Sequence, residues 1–153
     1  MLDDRTRVVL QDTARRLTRS FLQYVDEAVP WTTDQEEPAL GMVKRLAFEE
    51  RDGIGKLLNF LQRQHATPPY LGSFPASFTS MNFVTFDFIR PLLSQHARTE
   101  VMHLENDLCQ IENPRARELL KDLLALKIRH MKELEQFTPT AQSHAPGIPA
   151  ATH

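Results

Sequence analysis

Residues 94–111 read SQHARTEVMHLENDLCQI, and they set ionisable side chains where a helix of a small protein would be expected to bury leucines. Leu93, His96, Glu100, His103 or Leu104, and Asp107 or Leu108 recur at spacings of three and four, so they share one helical face. Such a face should point inward. Glu100 and His103 form a Glu-x-x-His pair, a carboxylate and an imidazole on neighbouring rows of one helix, as in helix bundles that hold metals in their cores. What this face does depends on the partners that other helices bring to it.

Outward from that stretch, the helix should begin near Ser80 and end near Glu112. Pro91 falls inside it, which predicts either a kink or a short helix followed by a longer one that begins at Pro91. Downstream, Asn113 and Pro114 form a start signal, an N-cap followed by proline at the first helical position. The helix that follows should run to Phe137, with Leu119, Leu123, Leu126, His130, Leu134 and Phe137 facing in. Residues 138–153, TPTAQSHAPGIPAATH, are proline-rich and unpatterned, so a domain over 1–137 with a disordered C-terminal tail is expected.

Upstream lies HATPPYLGSFPASFT, residues 65–79, which carries Pro68, Pro69, Gly72 and Pro75 and reads as a connection. A helix of about 26 residues is about 39 Å long, and an extended proline-rich segment covers about 3.1 Å per residue. The connection can therefore cross the molecule from end to end, letting the helices on either side of it run in the same direction. The helix before it should start at the capping-box signature of Thr33 and Glu36 and reach about Gln64, burying Val43, Leu46, Ala47, Glu50, Ile54, Leu57, Leu58 and Leu61. One carboxylate interrupts this apolar series. The first helix should run from Asp3 or Asp4 to about Val29, ahead of Pro30, with Leu10, Ala14, Leu17, Phe21, Tyr24 and Ala28 inward. Trp31 falls in the short connection that follows. Arg5, Arg7, Arg15, Arg16 and Arg19 give its first half a basic face, read as a solvated surface.

Composition narrows the function. At 153 residues with 25 % charged and 41 % hydrophobic residues, the chain suits one globular domain, and a formal charge of -2 does not favour nucleic acid. Cys109 has no intrachain partner, and no stretch reaches the eighteen or so apolar residues of a membrane span, so a cytoplasmic protein with no membrane partner is expected. Five of the nine phenylalanines, Phe74, Phe78, Phe83, Phe86 and Phe88, lie within fifteen residues. They either clamp the connection to the helices or form the patch of a homodimer. No glycine-rich phosphate loop or activated cysteine is present.

Four long amphipathic helices joined by short, long and short connections resemble the ferritin-like superfamily, an all-α four-helix bundle with a long crossover between the second and third helices. Di-iron members place Glu on the first helix, Glu-x-x-His on the second, Glu on the third and Glu-x-x-His on the fourth. Carried over residue by residue, the resemblance implies a degenerate site. The first helix offers only Tyr24 or Thr13. On the second, Glu49 and Asp52 would give a Glu-x-x-Asp variant, whereas the apolar stripe favours Glu50, whose i+3 neighbour is Gly53. Glu100 fits the third helix and His103 is additional. On the fourth, His130 is kept while Lys127 stands where the family has glutamate. A di-iron site needs about four carboxylates to offset the metal charge, and here an ammonium intrudes. The resemblance then implies a bundle in which Lys127 replaces the charge of a metal, with no cofactor and a structural or interaction role. Its alternative is a metal-dependent oxidoreductase or metal-binding protein with an incomplete, mononuclear iron or manganese site drawn from Glu49 or Glu50, Glu100, His103 and His130. His96 is expected to be a satisfied core or boundary imidazole.

Overall fold

The computed structural model describes residues 2–28, 30, 32–79 and 85–137, and this part of the chain is all-helical. The helices are α1 (Asp4–Thr18), α2 (Phe21–Ala28), α3 (Glu37–Arg63), the single turn α4 (Ala76–Thr79), α5 (Phe86–Cys109) and α6 (Pro114–Phe137). Trp31, Phe83, the side chain of Phe137 and the expected tail at 138–153 lie outside the described residues.

Capping chemistry sets most boundaries. Asp3 accepts from the Thr6 N–H at 2.7 Å to open α1, and Asn113 accepts from the Ala116 N–H at 2.9 Å with Pro114 as the first residue of α6. Before α3, the Glu36 carboxylate accepts from the Thr33 N–H at 2.8 Å, and a 3-10 turn (Asp34–Glu36) leads into the helix. At the far end of α3 the Ala66 N–H bonds to the Leu61 carbonyl and the His65 N–H to that of Gln62, a Schellman pair that puts His65 at φ 58°.

The expected single first helix is instead two. The chain leaves the helical path at Arg19 and Ser20, and the Ser20 hydroxyl then accepts from the Gln23 N–H at 3.3 Å and so caps α2. The change of path leaves Ala28, expected inside, exposed. Nor does a helix begin at Pro91: α5 starts at Phe86, where the Thr85 hydroxyl caps it by accepting from the Phe88 N–H, and continues through Pro91, while the expected start near Ser80 lies outside the described residues.

α5 packs along α6, and α3 lies against α1, α2 and α6. Two apolar clusters form. One joins α2, the first half of α3, the start of α5 and Leu134; the other joins α1, the second half of α3, Leu104, Ile111 and the start of α6. Because α3 and α5 put their starts in the same cluster and their ends in the other, they point the same way along the molecule. The described part of this connection runs along α1 and α2: Gln11 donates to the Thr67 carbonyl, Arg19 to that of Gly72 at 2.9 Å, and Phe74 and Phe78 reach the rings of Tyr24 and Phe21 at 5.4 and 5.1 Å. Where α3 crosses α6, a Cβ on Gly53 would lie 2.8 Å from Leu123 Cδ2, so a larger residue there requires the Leu123 side chain to shift.

Candidate functional site

Between the two apolar clusters lies a layer of buried polar groups. Glu50 follows Leu46 and Ala47 by one turn on α3 and is 0 % exposed. A carboxylate held there ionised loses several kcal/mol of hydration unless it is paired and hydrogen-bonded. Both conditions are met. Glu50 Oε2 accepts from Lys127 Nζ of α6 at 2.5 Å, while Oε1 accepts from the Ser20 hydroxyl at 2.7 Å and from Gln23 Nε2 at 2.8 Å. Lys127 is itself only 2 % exposed. Gln23 also donates to the Ala47 carbonyl at 2.9 Å and accepts from Arg51 at 2.8 Å, and Arg51 reaches Asp26 at 2.9 Å, so the network runs from core to surface. The break between α1 and α2 makes this possible, since Ser20 both caps α2 and turns its hydroxyl proton to Glu50.

A second cation answers the acids of α5. Arg16 of α1 donates from Nε to Glu100 at 3.1 Å and from Nη2 to Asp107 at 2.7 Å, and the Thr13 hydroxyl also donates to Asp107 at 2.9 Å. Burial opposes the charge on Arg16, but the Glu100 and Asp107 carboxylates outweigh it and hold the guanidinium more firmly protonated than usual. Arg16 therefore belongs to the interior network and not to the solvated basic face expected of it. Arg19 is also drawn in, with its guanidinium carbon 5.1 Å from the centre of the Phe74 ring.

The third grouping is Glu49, on the flank of α3, with His130 of α6. His130 Nε2 lies 3.0 Å from Glu49, and Arg129 donates to the same carboxylate at 3.1 Å while Arg45 donates to its other oxygen at 3.1 Å. Burial pushes the Glu49 carboxyl up, but the bonds from His130, Arg129 and Arg45 prevail and bring its pKa down to about 2. His130 is 0 % exposed, and burial, reinforced by the charge on Lys127, holds it below the ordinary histidine value. Its Nδ1 is buried without a hydrogen-bond partner.

The residues marked in the sequence do not converge on a metal. Glu50 is bound by Lys127, Glu100 by Arg16 and Glu49 by His130 and two arginines, so each carboxylate is already engaged by cationic or N–H donors. Asp52 and His103 are exposed; Asp52 lies 3.8 Å from Lys56, and Leu104 occupies the inward position that His103 was given as an alternative. Among the described residues no group of three or more His, Cys, Asp or Glu is placed to hold a metal ion. The donor set does not fit an iron or manganese centre. His96 sits at the boundary, stacked on Phe21 at 4.5 Å and edge-on to Phe78 at 5.5 Å, with burial lowering its pKa against the opposing pull of Glu100.

Ser20, Gln23 and Arg16 were not anticipated. With Thr13 they recur at spacings of three, four and three, a polar stripe running beside the apolar one. That stripe was the available signal. No family model, curated protein or solved structure matches the chain.

Proposed function

We propose that the chain is a ferritin-like four-helix bundle, with residues 65–79 in its long crossover, in which buried ion pairs take the place of a metal and whose role is structural or interactive and not catalytic. The observation that carries the reading is the 2.5 Å bond between Lys127 and Glu50, both buried, at the position where the family motif has a glutamate. An ammonium there supplies the positive charge that Glu50 requires, and Arg16 supplies it for Glu100 and Asp107. In this reading the protein is cytoplasmic; no helix among the described residues is long and apolar enough to cross a membrane. The test is elemental analysis of protein purified without chelators, followed by melting with added Fe(II) or Mn(II). Substoichiometric metal and an unchanged Tm are expected, because a ligand that binds only the folded state must raise Tm. Two metal ions per chain would overturn the proposal in favour of the metal-dependent oxidoreductase.

Self-association through the phenylalanine-rich region belongs to the same proposal, in a reduced form. Phe78 and Phe86 are buried within the chain and Phe74 packs against Tyr24, so among the described phenylalanines of this region Phe88, 57 % exposed, is the aromatic surface that a homodimer would cover. Light scattering at high micromolar concentration should give a dimer that Phe88→Ser dissociates; a monomer throughout would remove this part.

A further inference from the structure

Beneath residues 71–78 lies a cavity of about 210 Å³, walled on one side by α1 and α2 and on the other by α5, with Lys127 and Leu134 of α6 also lining it. Phe21, Phe78, Leu93 and Leu134 give an apolar wall, whereas Arg15, Arg16 and Arg19 of α1 bring three guanidinium side chains to it. A cavity of ~150 Å³ lined by apolar groups holds a benzene ring, so 210 Å³ leaves room for such a ring and a carboxylate-sized group.

The four cations of the lining are not equivalent. Arg15 is paired with Asp12, Arg16 with Glu100 and Asp107, and Lys127 with Glu50. Arg19 has no carboxylate within ion-pair distance among the described residues: its Nε bonds to the Gly72 carbonyl and its guanidinium lies over the Phe74 ring. That anchoring fixes the group and leaves the donors on its two terminal nitrogens for a ligand, with the planar fork that matches a carboxylate. Lys127 is the second polar feature. It is 2 % exposed, and its ammonium, which has three donors, meets Glu50 Oε2 in a single bond, so the buried lining retains donor capacity for a further oxygen. Set into an apolar wall, one held but unpaired cation is the recognition pattern of a small pocket that fixes its ligand with a few polar contacts.

We propose that this cavity binds a compact organic monocarboxylate, an acid with an aromatic or similarly bulky apolar body, whose carboxylate pairs with Arg19 and whose body packs against Phe21, Phe78 and Leu93. The inference goes beyond the charge-replacement reading and does not rest on it, since Arg19 takes no part in the bonds around Glu50. It also accounts for the aromatic crossover, in which Phe78 lines the cavity while Gly72 and Phe74 hold the cation that meets the ligand.

The test is calorimetric titration of the full chain with sodium benzoate, and with benzyl alcohol as a neutral probe of similar size. Benzoate is expected to bind at least about tenfold more tightly than benzyl alcohol, in line with a hydrogen-bonded charge contact. Arg19→Gln should weaken benzoate by about tenfold or more and leave benzyl alcohol unchanged, whereas Arg19→Lys should retain part of the preference. Ala97→Phe, which fills the cavity from α5, should abolish both. The unchanged benzyl alcohol affinity shows that the Arg19→Gln cavity is intact. Absence of benzoate binding, equal affinity for both probes, or benzoate binding indifferent to Arg19→Gln would each overturn the proposal.

Discussion

Replacing Lys127 with Met keeps a side chain of similar length in its place but removes the only cation bonded to Glu50 among the described residues. Glu50 would keep its bonds from Ser20 and Gln23, 2.7 and 2.8 Å long, yet both donors are neutral and neither cancels its charge. Removing one partner of a buried pair costs about 3 to 5 kcal/mol, because the remaining charge is left uncompensated. The pair is buried on both sides, so the full range applies and not the fraction of a kcal/mol typical of exposed pairs. For a chain of this size, about 2 to 4 °C is lost per kcal/mol, so Tm should fall by about 6 to 20 °C. The assay is a urea-melt double-mutant cycle of wild type, Lys127→Met, Glu50→Gln and the pair. Glu50→Gln preserves an oxygen for Ser20 and removes the charge, so the double variant should be more stable than Lys127→Met alone, with a coupling of about 0.5 to 3 kcal/mol. A Lys127→Met protein within about 0.5 kcal/mol of wild type, the range of ordinary surface substitutions, would refute the claim that this pair holds the polar layer together. So would strict additivity across the cycle.

Acid should weaken the fold in two windows. His130 is held below its ordinary value of 6.5, so the unfolded chain binds its proton first, and stability present above about pH 6.5 is lost as pH falls through the lower folded value; His130→Gln should flatten that part of a Tm-against-pH curve. Glu49, lowered from 4.5 to about 2, adds stability above pH 4.5 that disappears as pH falls through about 2, so Glu49→Gln should differ most from wild type at pH 5 and least near pH 2. A wild-type curve that is flat from pH 7 to 3 would contradict both. The glycines of α3 should separate by their surroundings: Gly41 and Gly55 have open space where a Cβ would go, so alanine at each should stabilise by about 0.5 to 1 kcal/mol, measured by urea melts. At Gly53 the Cβ would meet the Leu123 Cδ2 methyl at 2.8 Å, so Gly53→Ala makes that side chain shift and should gain less stability than alanine at Gly41 or Gly55; an equal gain at all three positions would show that Leu123 yields without cost.

The elements that were legible in the sequence are those with local chemical signals. Asn113 with Pro114, Asp3, and Thr33 with Glu36 each satisfy orphan amide groups within their own turn, and the structure uses all three. The interruption at Arg19 and Ser20 has no comparable mark, because neither residue is a strong helix breaker and the apolar series from Leu10 to Tyr24 continues through it at helical spacing. What decides it is a distant group. Ser20 gains a bond to Glu50, 30 residues away, and that bond depends on a helix not yet formed when only the first is considered. Pro91 was expected either to kink this helix or to begin a second one, and it begins none: at the sixth residue of α5 it lies only just beyond the first turn, whose N–H groups have no intrahelical partner.

The candidate site divides along the same line. Its inward acids were visible because each breaks an apolar stripe: Glu50 stands among Leu46, Ala47, Ile54 and Leu57, and Glu100 between Leu93 and Leu104. His103 and Leu104 are adjacent, about 100° apart around the helix, so a stripe wide enough for one nearly includes the other. Burial favours the leucine, which leaves no polar atom to satisfy. The cations were harder to place because a long basic side chain can stand on the flank of a helix and carry its head inward or outward. Lys127 could be assigned an inward role only through the position that the ferritin-like resemblance gave it. Arg16, on the same basic run as Arg15 and Arg19, carried no such mark. Its placement follows from charge balance once α5 is in position: Glu100 and Asp107 face α1 one above the other, and ionising both away from bulk water requires a donor that reaches two carboxylates at once. A guanidinium does that with separate N–H groups, and an ammonium on a shorter reach would leave one acid unpaired. The polar layer is therefore specified in pairs across helices, and its acids, unlike its cations, can be read from one helix at a time.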